Sequence, residues 1–130
     1  MTTINEHASV TTIVDGCLSA WNERNAQRRA ELIERFWAPD GRLIDPPLTG
    51  DGHAAISAMA AAMHEHYAGH HFRRASGVDL QHDQLRFAWE LVGPDGAVVL
   101  RGLDVGELAA DGRLQRIAGF FGELPALTGA

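Results

Sequence analysis

One stretch decides the fold of this chain, Gly41-Arg42-Leu43-Ile44-Asp45-Pro46-Pro47, where helical sequence gives way to strand. Leu43 and Asp45 share a face of the short strand, and the two prolines stop it. A carboxylate where burial is expected needs either a hydrogen-bonded partner or a function. We interpret Asp45 as a general base whose pKa is raised by desolvation. The structural alternative is that Asp45 caps a turn or accepts backbone N–H bonds around Pro46-Pro47.

Length, composition and charge indicate one domain, spanning residues 1–130. Hydrophobic residues make up 45% and charged residues 22%, which favours a globular protein over a disordered one. The net charge of -6 disfavours nucleic acid and anionic membrane as partners. No apolar run reaches membrane-spanning length, and Met1–His7 does not resemble a signal peptide, so a cytoplasmic location is expected. A lone cysteine, Cys17, allows no internal disulfide.

The first half of the chain predicts three helices, each with one apolar face. Ser9 is expected to cap the first helix, whose apolar positions are Val10, Ile13, Val14, Cys17, Leu18 and Trp21. The second carries Leu32, Ile33, Phe36 and Trp37 and ends before Pro39, after which an Asp40-Gly41 turn starts the strand. A loop at 49–52, with Asp51 as cap, leads to the third helix, from about Ala54 to Tyr67. Its apolar face consists of Ile56, Met59, Ala60, Met63 and Tyr67.

From His70 onward the hydrophobic pattern alternates, which is typical of strands. Strands are predicted at 72–80, 85–91, 98–108 and 114–122, with hairpin turns at 93–96 and 110–112. Glycines at 102, 106 and 112 would let the sheet bend sharply. We therefore predict an α+β fold in which three helices cover the concave face of a curved antiparallel sheet.

Several local motifs between Val10 and Glu123 are similar to those of a known superfamily. They are Trp37-Ala38-Pro39-Asp40-Gly41, Ile44-Asp45-Pro46, Gly52-His53-Ala54-Ala55-Ile56, Leu103-Asp104, Asp111-Gly112-Arg113-Leu114 and Phe121-Gly122-Glu123. In this order they resemble the nuclear transport factor 2-like superfamily, which includes ketosteroid isomerase and the SnoaL-like polyketide cyclases. The resemblance implies a cone-shaped sheet that encloses a pocket, and a homodimer formed through the outer face of that sheet. It leaves the activity open, because the same fold serves isomerases, dehydratases, epoxide hydrolases, cyclases and inactive proteins.

Asp104 is a second carboxylate in an apolar setting, in the middle of a predicted strand. If it is buried without a cation, it should be protonated and able to donate a hydrogen bond. The alternatives are exposure on the outer face or an ion pair with Arg101, Arg86 or Arg116. The resemblance to ketosteroid isomerase places Asp45 at the general base and Asp104 at the protonated acid of the oxyanion hole.

The tyrosine that completes the oxyanion hole of ketosteroid isomerase belongs on the first helix, where this sequence has Cys17. A thiol is a weak hydrogen-bond donor. Loss of one oxyanion donor typically removes about 2.7–4 kcal/mol of transition-state stabilisation. From the residues alone, Cys17 is interpreted as a small buried apolar side chain in the pocket wall.

Four of the seven histidines lie close together, at positions 64, 66, 70 and 71. His64 and His66 point in different directions on a helix, and His70 and His71 point to opposite faces of a strand. A metal site needs ligands that converge, so no metal is predicted. His64 lies at the edge of the apolar face of its helix and is predicted as a proton donor or acceptor in the pocket; the alternative is a solvated helix end.

The sequence thus predicts a small acid/base enzyme of the isomerase, lyase or cyclase type, with Asp45, Asp104 and His64 as catalytic residues and no cofactor. Its substrate would be a hydrophobic small molecule with a carbonyl group, and an aromatic or polycyclic ligand would suit the pocket. The predicted pocket residues are Cys17, Trp21, Trp37, Met63, Phe72, Phe87, Trp89 and Phe121. The alternative, favoured by Cys17, is a non-catalytic module of the same fold that binds a small ligand or dimerises.

Overall fold

The computed structural model describes residues 3–45 and 47–127, in which three helices pack on one curved sheet. The helices are α1 (Thr3–Asn22), α2 (Ala26–Phe36) and α3 (His53–His66). The strands are β1 (Trp37–Asp45), β2 (Leu48–Asp51), β3 (His71–Arg74), β4 (Asp79–Gln81), β5 (Gln84–Val92), β6 (Val98–Leu108) and β7 (Leu114–Phe121). Their order in the open sheet is β2-β1-β7-β6-β5-β3, and β4 also pairs with β5. The predicted α+β fold is confirmed.

The hydrophobic core lies between the three helices and the concave face of the sheet. Val10 and Val14 of α1, Ile33 of α2 and Ile56 of α3 are each 1% exposed. The predicted alternation in β5 is confirmed, since its core-facing side chains are buried: Leu85, Phe87, Trp89 and Leu91. No helix within the described residues is long and apolar enough to cross a bilayer.

The sheet is mixed, which corrects the prediction of a purely antiparallel one. β1 and β7 run parallel, with Leu43 opposite Ile117, while the other strand pairs are antiparallel among the residues described. Hairpin turns force antiparallel pairing only between consecutive strands. Because β1 and β7 lie far apart in sequence, no turn fixes their relative direction, and the local pattern could not show it.

The chain changes from helix to strand earlier than predicted. α2 ends at Phe36, and Trp37 is already extended, with φ -108° and ψ 138°. The predicted turn at Asp40-Gly41 is instead a bulge within β1, at which the pairing with β7 shifts register. Gly41 is needed there, since a Cβ would lie 2.7 Å from the Trp37 ring. The predicted loop after Asp45 is largely β2, while Pro46 lies outside the described residues.

Other boundaries differ from the prediction for local reasons. Ser9 lies inside α1 and is not its cap. Gly52 is the N-cap of α3, because Asp51 lies in β2 and pairs with Arg42 at 3.4 Å. Tyr67 is 43% exposed and lies just beyond the end of α3, where the helical face no longer continues.

The single strand predicted at 72–80 is divided into β3 and β4. Between them, the Ser76 hydroxyl accepts a hydrogen bond from the Ala88 N–H, and the Ala75 N–H donates to the Ala88 carbonyl, both at 2.8 Å. The side chain of Ser76 thus takes the place of a main-chain acceptor and interrupts the ladder. Both short strands still pair with β5.

The C-terminal end of α1 is held by hydrogen bonds of two side chains, Asn22 of α1 itself and Arg29 of α2. The Asn22 amide donates to the Phe72 carbonyl at 2.7 Å and accepts from the Phe72 N–H at 2.8 Å. Buried Arg29 donates to the Glu23 carbonyl at 2.8 Å and to the Ser57 hydroxyl at 2.9 Å. A cation at this position also interacts favourably with the negative end of the helix dipole. These bonds fix the end of α1 against the sheet and α3.

Candidate active site

A cavity lies between α1 and the concave face of the sheet. It has a volume of about 60 Å³, measured as space for the centres of water molecules, and it is partly open to solvent. Since one water needs roughly 10–15 Å³ by this measure, the enclosed part holds about four to six waters or a compact ligand. Its walls are formed by Val14, Cys17, Leu18, Trp21, Trp37, Leu43, Asp45, Phe72, Phe87, Trp89, Asp104, Leu114 and Ile117.

Asp45 reaches this cavity from the last residue of β1. Its side chain is half-buried and has no hydrogen bond or ion pair within the described part of the chain. Burial without a compensating partner disfavours the charged form of a carboxyl group. Desolvation accordingly raises the pKa of Asp45 to about 6.

Asp104 reaches the same cavity from the middle of β6, where it lies opposite Phe87 of β5 and Gly119 of β7. Burial raises the pKa of Asp104 to about 7. Two smaller effects act on the same pKa. The Trp89 indole N–H donates to Asp104 Oδ1 at 2.8 Å and lowers it, whereas the charge of Asp45 raises it.

Gly119 allows the two carboxylates to approach each other. A Cβ at this position would lie 2.9 Å from Asp104 Oδ1 and 3.1 Å from Asp45 Oδ1. The two oxygens can therefore be no farther apart than the sum of these distances, about 6 Å. The pattern of the sequence did not point to Gly119, because only the register of β7 between β1 and β6 shows that it lies beneath both aspartates.

Among the residues that the structure describes, the cavity walls carry two acids and no basic side chain. The three arginines considered as partners of Asp104 instead pair with other acids. These pairs are Arg101 with Glu90 at 3.3 Å, Arg86 with Asp79 at 2.8 Å and Arg116 with Glu107 at 3.6 Å. Charge repulsion between the aspartates is thus not offset by a cation, and the pair favours a state that holds one proton.

Cys17 lines the cavity, but its thiol is directed elsewhere. The thiol donates to the Phe36 carbonyl, with 3.7 Å between sulfur and oxygen. Burial raises the pKa of the Cys17 thiol well above its ordinary value. Because the nucleophilic form of cysteine is the thiolate, this side chain is not suited to nucleophilic attack. Because its proton is directed to the Phe36 carbonyl, it is not suited to hydrogen bonding with a ligand either.

His64 does not line the cavity. Its ring Nε2 lies 2.9 Å from the Trp21 carbonyl oxygen, which requires the N–H form at that nitrogen. Burial, the largest effect, lowers the pKa of His64, with the Trp21 bond acting in the opposite direction. The side chain points from α3 to the end of α1 and reaches the cavity only indirectly, by holding the main chain of Trp21.

Most of the predicted aromatic residues surround the cavity. Those in its walls are Trp21, Trp37, Phe72, Phe87 and Trp89. Phe121 is outside the walls and 44% exposed, although its ring packs edge-on against Trp89 at 5.6 Å. Met63 is buried but does not contact the cavity, because it faces the core from α3. Val14 and Leu18 could have been predicted, since they share the apolar face of α1 with Cys17 and Trp21.

The sequence indicates Gly102 only as a point of bending. It lies opposite Trp89 in the β5–β6 ladder, and a Cβ there would overlap the indole ring. Gly102 therefore makes the space in which Trp89 reaches Asp104. Within residues 3–45 and 47–127, no three His, Cys, Asp or Glu side chains are placed to share a metal ion.

The chain is similar to several solved structures. No protein-family model and no curated protein matches it. A proposed isomerase of the SnoaL-like family from Agrobacterium tumefaciens strain C58 is 35% identical, with a TM-score of 0.83 over 92% of this chain and 99% of that one. A proposed SnoaL-like polyketide cyclase from Jannaschia sp. CCS1 is 17% identical, with a TM-score of 0.71 over 93% and 89%.

A third structure shares only the fold. It is a hypothetical protein with a ketosteroid isomerase-like fold from Catenulispora acidiphila DSM 44928, in complex with trimethylamine, and it is 14% identical, with a TM-score of 0.66 over 83% of each chain. The relative from Agrobacterium is similar over nearly its whole length and carries the family assignment. The chain therefore belongs to the SnoaL-like family of the nuclear transport factor 2-like superfamily.

Proposed function

We propose that this protein is a proton-transfer enzyme of the isomerase, lyase or cyclase type, acting on a hydrophobic small molecule that carries a carbonyl group. One observation carries the proposal: two carboxylates, from the strands on either side of β7, meet over Gly119 in an otherwise apolar cavity. Buried acids with raised pKa values are typical of groups that move protons near neutral pH. Relatives named as an isomerase and a cyclase support the same reaction class.

The two aspartates have different roles because their surroundings differ. With pKa values of about 6 for Asp45 and about 7 for Asp104, the pair holds about one proton near pH 6.5, mainly on Asp104. Asp45 is then the base, and protonated Asp104 is a neutral hydrogen-bond donor. Two titratable groups whose environments separate their pKa values are suited to opposite acid/base roles.

The reaction follows from these roles. The substrate carbonyl oxygen accepts a hydrogen bond from Asp104, while Asp45 takes a proton from the carbon next to the carbonyl. The C–H electron pair moves into a carbon–carbon double bond, and the carbonyl becomes an enolate. Return of the proton to another carbon gives an isomer, loss of a β-substituent gives a lyase product, and attack on a second carbonyl closes a ring.

Of the two oxyanion donors that the resemblance to ketosteroid isomerase implies, the site keeps the acid Asp104, whereas the thiol at position 17 is engaged with the Phe36 carbonyl. A substrate with an ordinary ketone would therefore be a poor match for this site. Activated compounds, such as 1,3-dicarbonyls or β,γ-unsaturated ketones, form enolates that need less stabilisation. We propose activated carbonyl compounds as the substrate class, with a compact reacting end that fits the 60 Å³ cavity.

The test is hydrogen exchange at the carbon next to a carbonyl. Wild-type protein in D2O is mixed with 2-tetralone, an activated ketone, or with cyclohexanone, and loss of the proton signal is followed by NMR. We expect faster exchange of 2-tetralone than in buffer alone, because Asp45 is held beside the cavity. The rate should rise as the pH passes about 6, when Asp45 loses its proton, and fall above about 7, when Asp104 does. A flat pH profile or a rate equal to that of buffer would contradict the proposal.

A second candidate function is binding of a small organic cation without turnover. Two acids with no cation in a cavity walled by five aromatic side chains offer both charge and cation–π contacts to a small amine. The Catenulispora protein of this fold was determined with trimethylamine. Calorimetry with trimethylamine hydrochloride separates the two functions, because tight amine binding together with no exchange of either ketone favours the second.

We also propose that a second copy of this chain covers the outer face of the sheet. Leu103 and Phe120 lie opposite each other on neighbouring strands there and are 38% and 58% exposed, and Val99, on the same strand as Leu103, is 52% exposed. Such a patch on neighbouring strands is typical of a protein interface. We expect light scattering to give the mass of a dimer, and Leu103→Glu to halve it; Leu48→Glu, on the β2 edge, is the control. A monomeric wild-type protein would rule this dimer out.

A further inference from the structure

The indole of Trp89 touches one oxygen of Asp104 and leaves the other free. We propose that Trp89 is a positioning residue, which fixes Asp104 so that Oδ2 is the oxygen that donates to the substrate. This inference rests on the proposed acid role of Asp104, but its geometry can be tested without any substrate. Trp89 itself would act through Asp104.

The contacts of the two oxygens differ. Oδ1 accepts the Trp89 N–H at 2.8 Å and lies over Gly119, whereas Oδ2 has no hydrogen-bond partner among the described residues. An indole N–H can only donate, and the carbonyl-type oxygen of a protonated carboxyl is the better acceptor. The proton of neutral Asp104 therefore belongs on Oδ2, the oxygen that remains available to a ligand.

Trp89 is itself held firmly. Its side chain is 3% exposed, and it packs edge-on against Phe72 at 5.1 Å and Phe121 at 5.6 Å. Gly102 on the neighbouring strand leaves room for the ring, because a Cβ at this position would overlap it. A donor that cannot turn keeps the carboxyl in one orientation, which is what preorganised hydrogen bonding requires.

The same bond also sets the range of pH in which Asp104 can work. Hydrogen bonding to the charged form of an acid lowers its pKa, and the Trp89 N–H has this effect on Asp104 against the larger effect of burial. Without the bond, Asp104 would hold its proton to higher pH. Asp45 has no such donor, so Trp89 acts on one member of the pair alone.

The first experiment uses the wild-type protein and the indole N–H signals of its three tryptophans in ¹⁵N–¹H NMR. We expect the chemical shift of the Trp89 N–H to change with pH, and the midpoint of this change should equal the midpoint at which the Asp104 carboxyl carbon titrates. Asp104→Asn should abolish that movement, and Asp45→Asn should lower its midpoint, because the repelling charge is removed. A Trp89 signal that ignores the titration of Asp104 would overturn the proposal.

The second experiment is Trp89→Phe, which removes the N–H and keeps an aromatic ring. We expect the carboxyl pKa of Asp104 to rise, and the alkaline limit of ketone exchange to move to higher pH. The maximal rate should fall on the order of tenfold with little change in KM, because the acid is still present but less well oriented. Trp89→His, which restores an N–H near the same place, should recover part of the loss.

Trp37→Phe is the matched control for the pKa measurement. Trp37 is another buried indole in the cavity wall, but it has no hydrogen bond to either aspartate. It should leave the pKa of Asp104 unchanged. If Trp89→Phe does the same, the positioning role is wrong even where exchange slows. If the pKa rises but the wild-type protein exchanges neither ketone, the proposed reaction fails and the positioning of Asp104 stands.

Discussion

Asp45→Asn is expected to slow exchange at the carbon next to the carbonyl by about 10²–10⁴-fold, the usual contribution of a positioned base. The amide has nearly the shape of the carboxylate but cannot accept the proton. The substrate should still bind, since the apolar walls and Asp104 are unchanged, so the loss should appear in kcat with KM within about twofold. The rate is measured with 2-tetralone in D2O at pH 6.5, between the two pKa values.

Asp83→Asn is the control for this change. Asp83 lies exposed at the turn between β4 and β5, where its carboxylate accepts from the Gln84 amide at 3.0 Å. The Asp83→Asn variant has the same change of charge at a site that does not contact the cavity. We expect this variant to exchange the ketone at the wild-type rate. If Asp45→Asn retained more than a tenth of the wild-type rate, Asp45 would not be the base.

Local sequence patterns predicted the elements whose burial follows one period. In α1 and in β5, the spacing of the apolar residues is enough to tell which side chains face the core. The core-facing side of both elements was predicted correctly. β2 and the parallel pairing of β1 with β7 were missed. β2 contains only four residues, Leu48–Asp51, and it forms because β1 offers it an edge. Such pairings depend on distant residues and leave little trace in a short window.

The two aspartates could be found from the sequence because charge in an apolar pattern is unusual. What joins them could not be found. Gly119 has an ordinary sequence context, and its importance arises because its Cα lies under both carboxylates once β7 is placed between β1 and β6. The contact between Trp89 and Asp104 likewise needs the β5–β6 register. His64 shows the converse limit, since its position at the edge of a helical face did not reveal that it points to the end of α1.

The aspartate pair should also destabilise the folded protein at high pH. Both folded-state pKa values, about 6 and about 7, lie above the unfolded value of about 3.9. The folded state therefore binds more protons than the unfolded state between about pH 4 and pH 7, and the free energy of unfolding falls as the pH rises through this window. Below about pH 4 both aspartates are protonated in both states, and the pair does not reduce the free energy of unfolding. Above about pH 7 both are ionised in both states, and the reduction is complete. Taken at full size, the two pKa differences amount to about 7 kcal/mol, and because both side chains are partly exposed, the expected loss is on the order of 3–6 kcal/mol.

Urea unfolding of the wild-type protein and of the double variant Asp45→Asn/Asp104→Asn, at pH 4.5, 6 and 8, measures this loss. Neither asparagine titrates, and the new amide oxygen at position 104 can still accept the Trp89 N–H. The double variant should gain stability relative to wild type as the pH rises. Subtracting the free energy of unfolding of the wild type from that of the double variant cancels the pH dependence of all other groups. One of these is His64, whose lowered pKa makes stability rise with pH. A difference that stays constant from pH 4.5 to 8 would mean that both aspartates are ionised as easily in the folded protein as in the unfolded chain, and no burial of charge would remain to drive proton transfer.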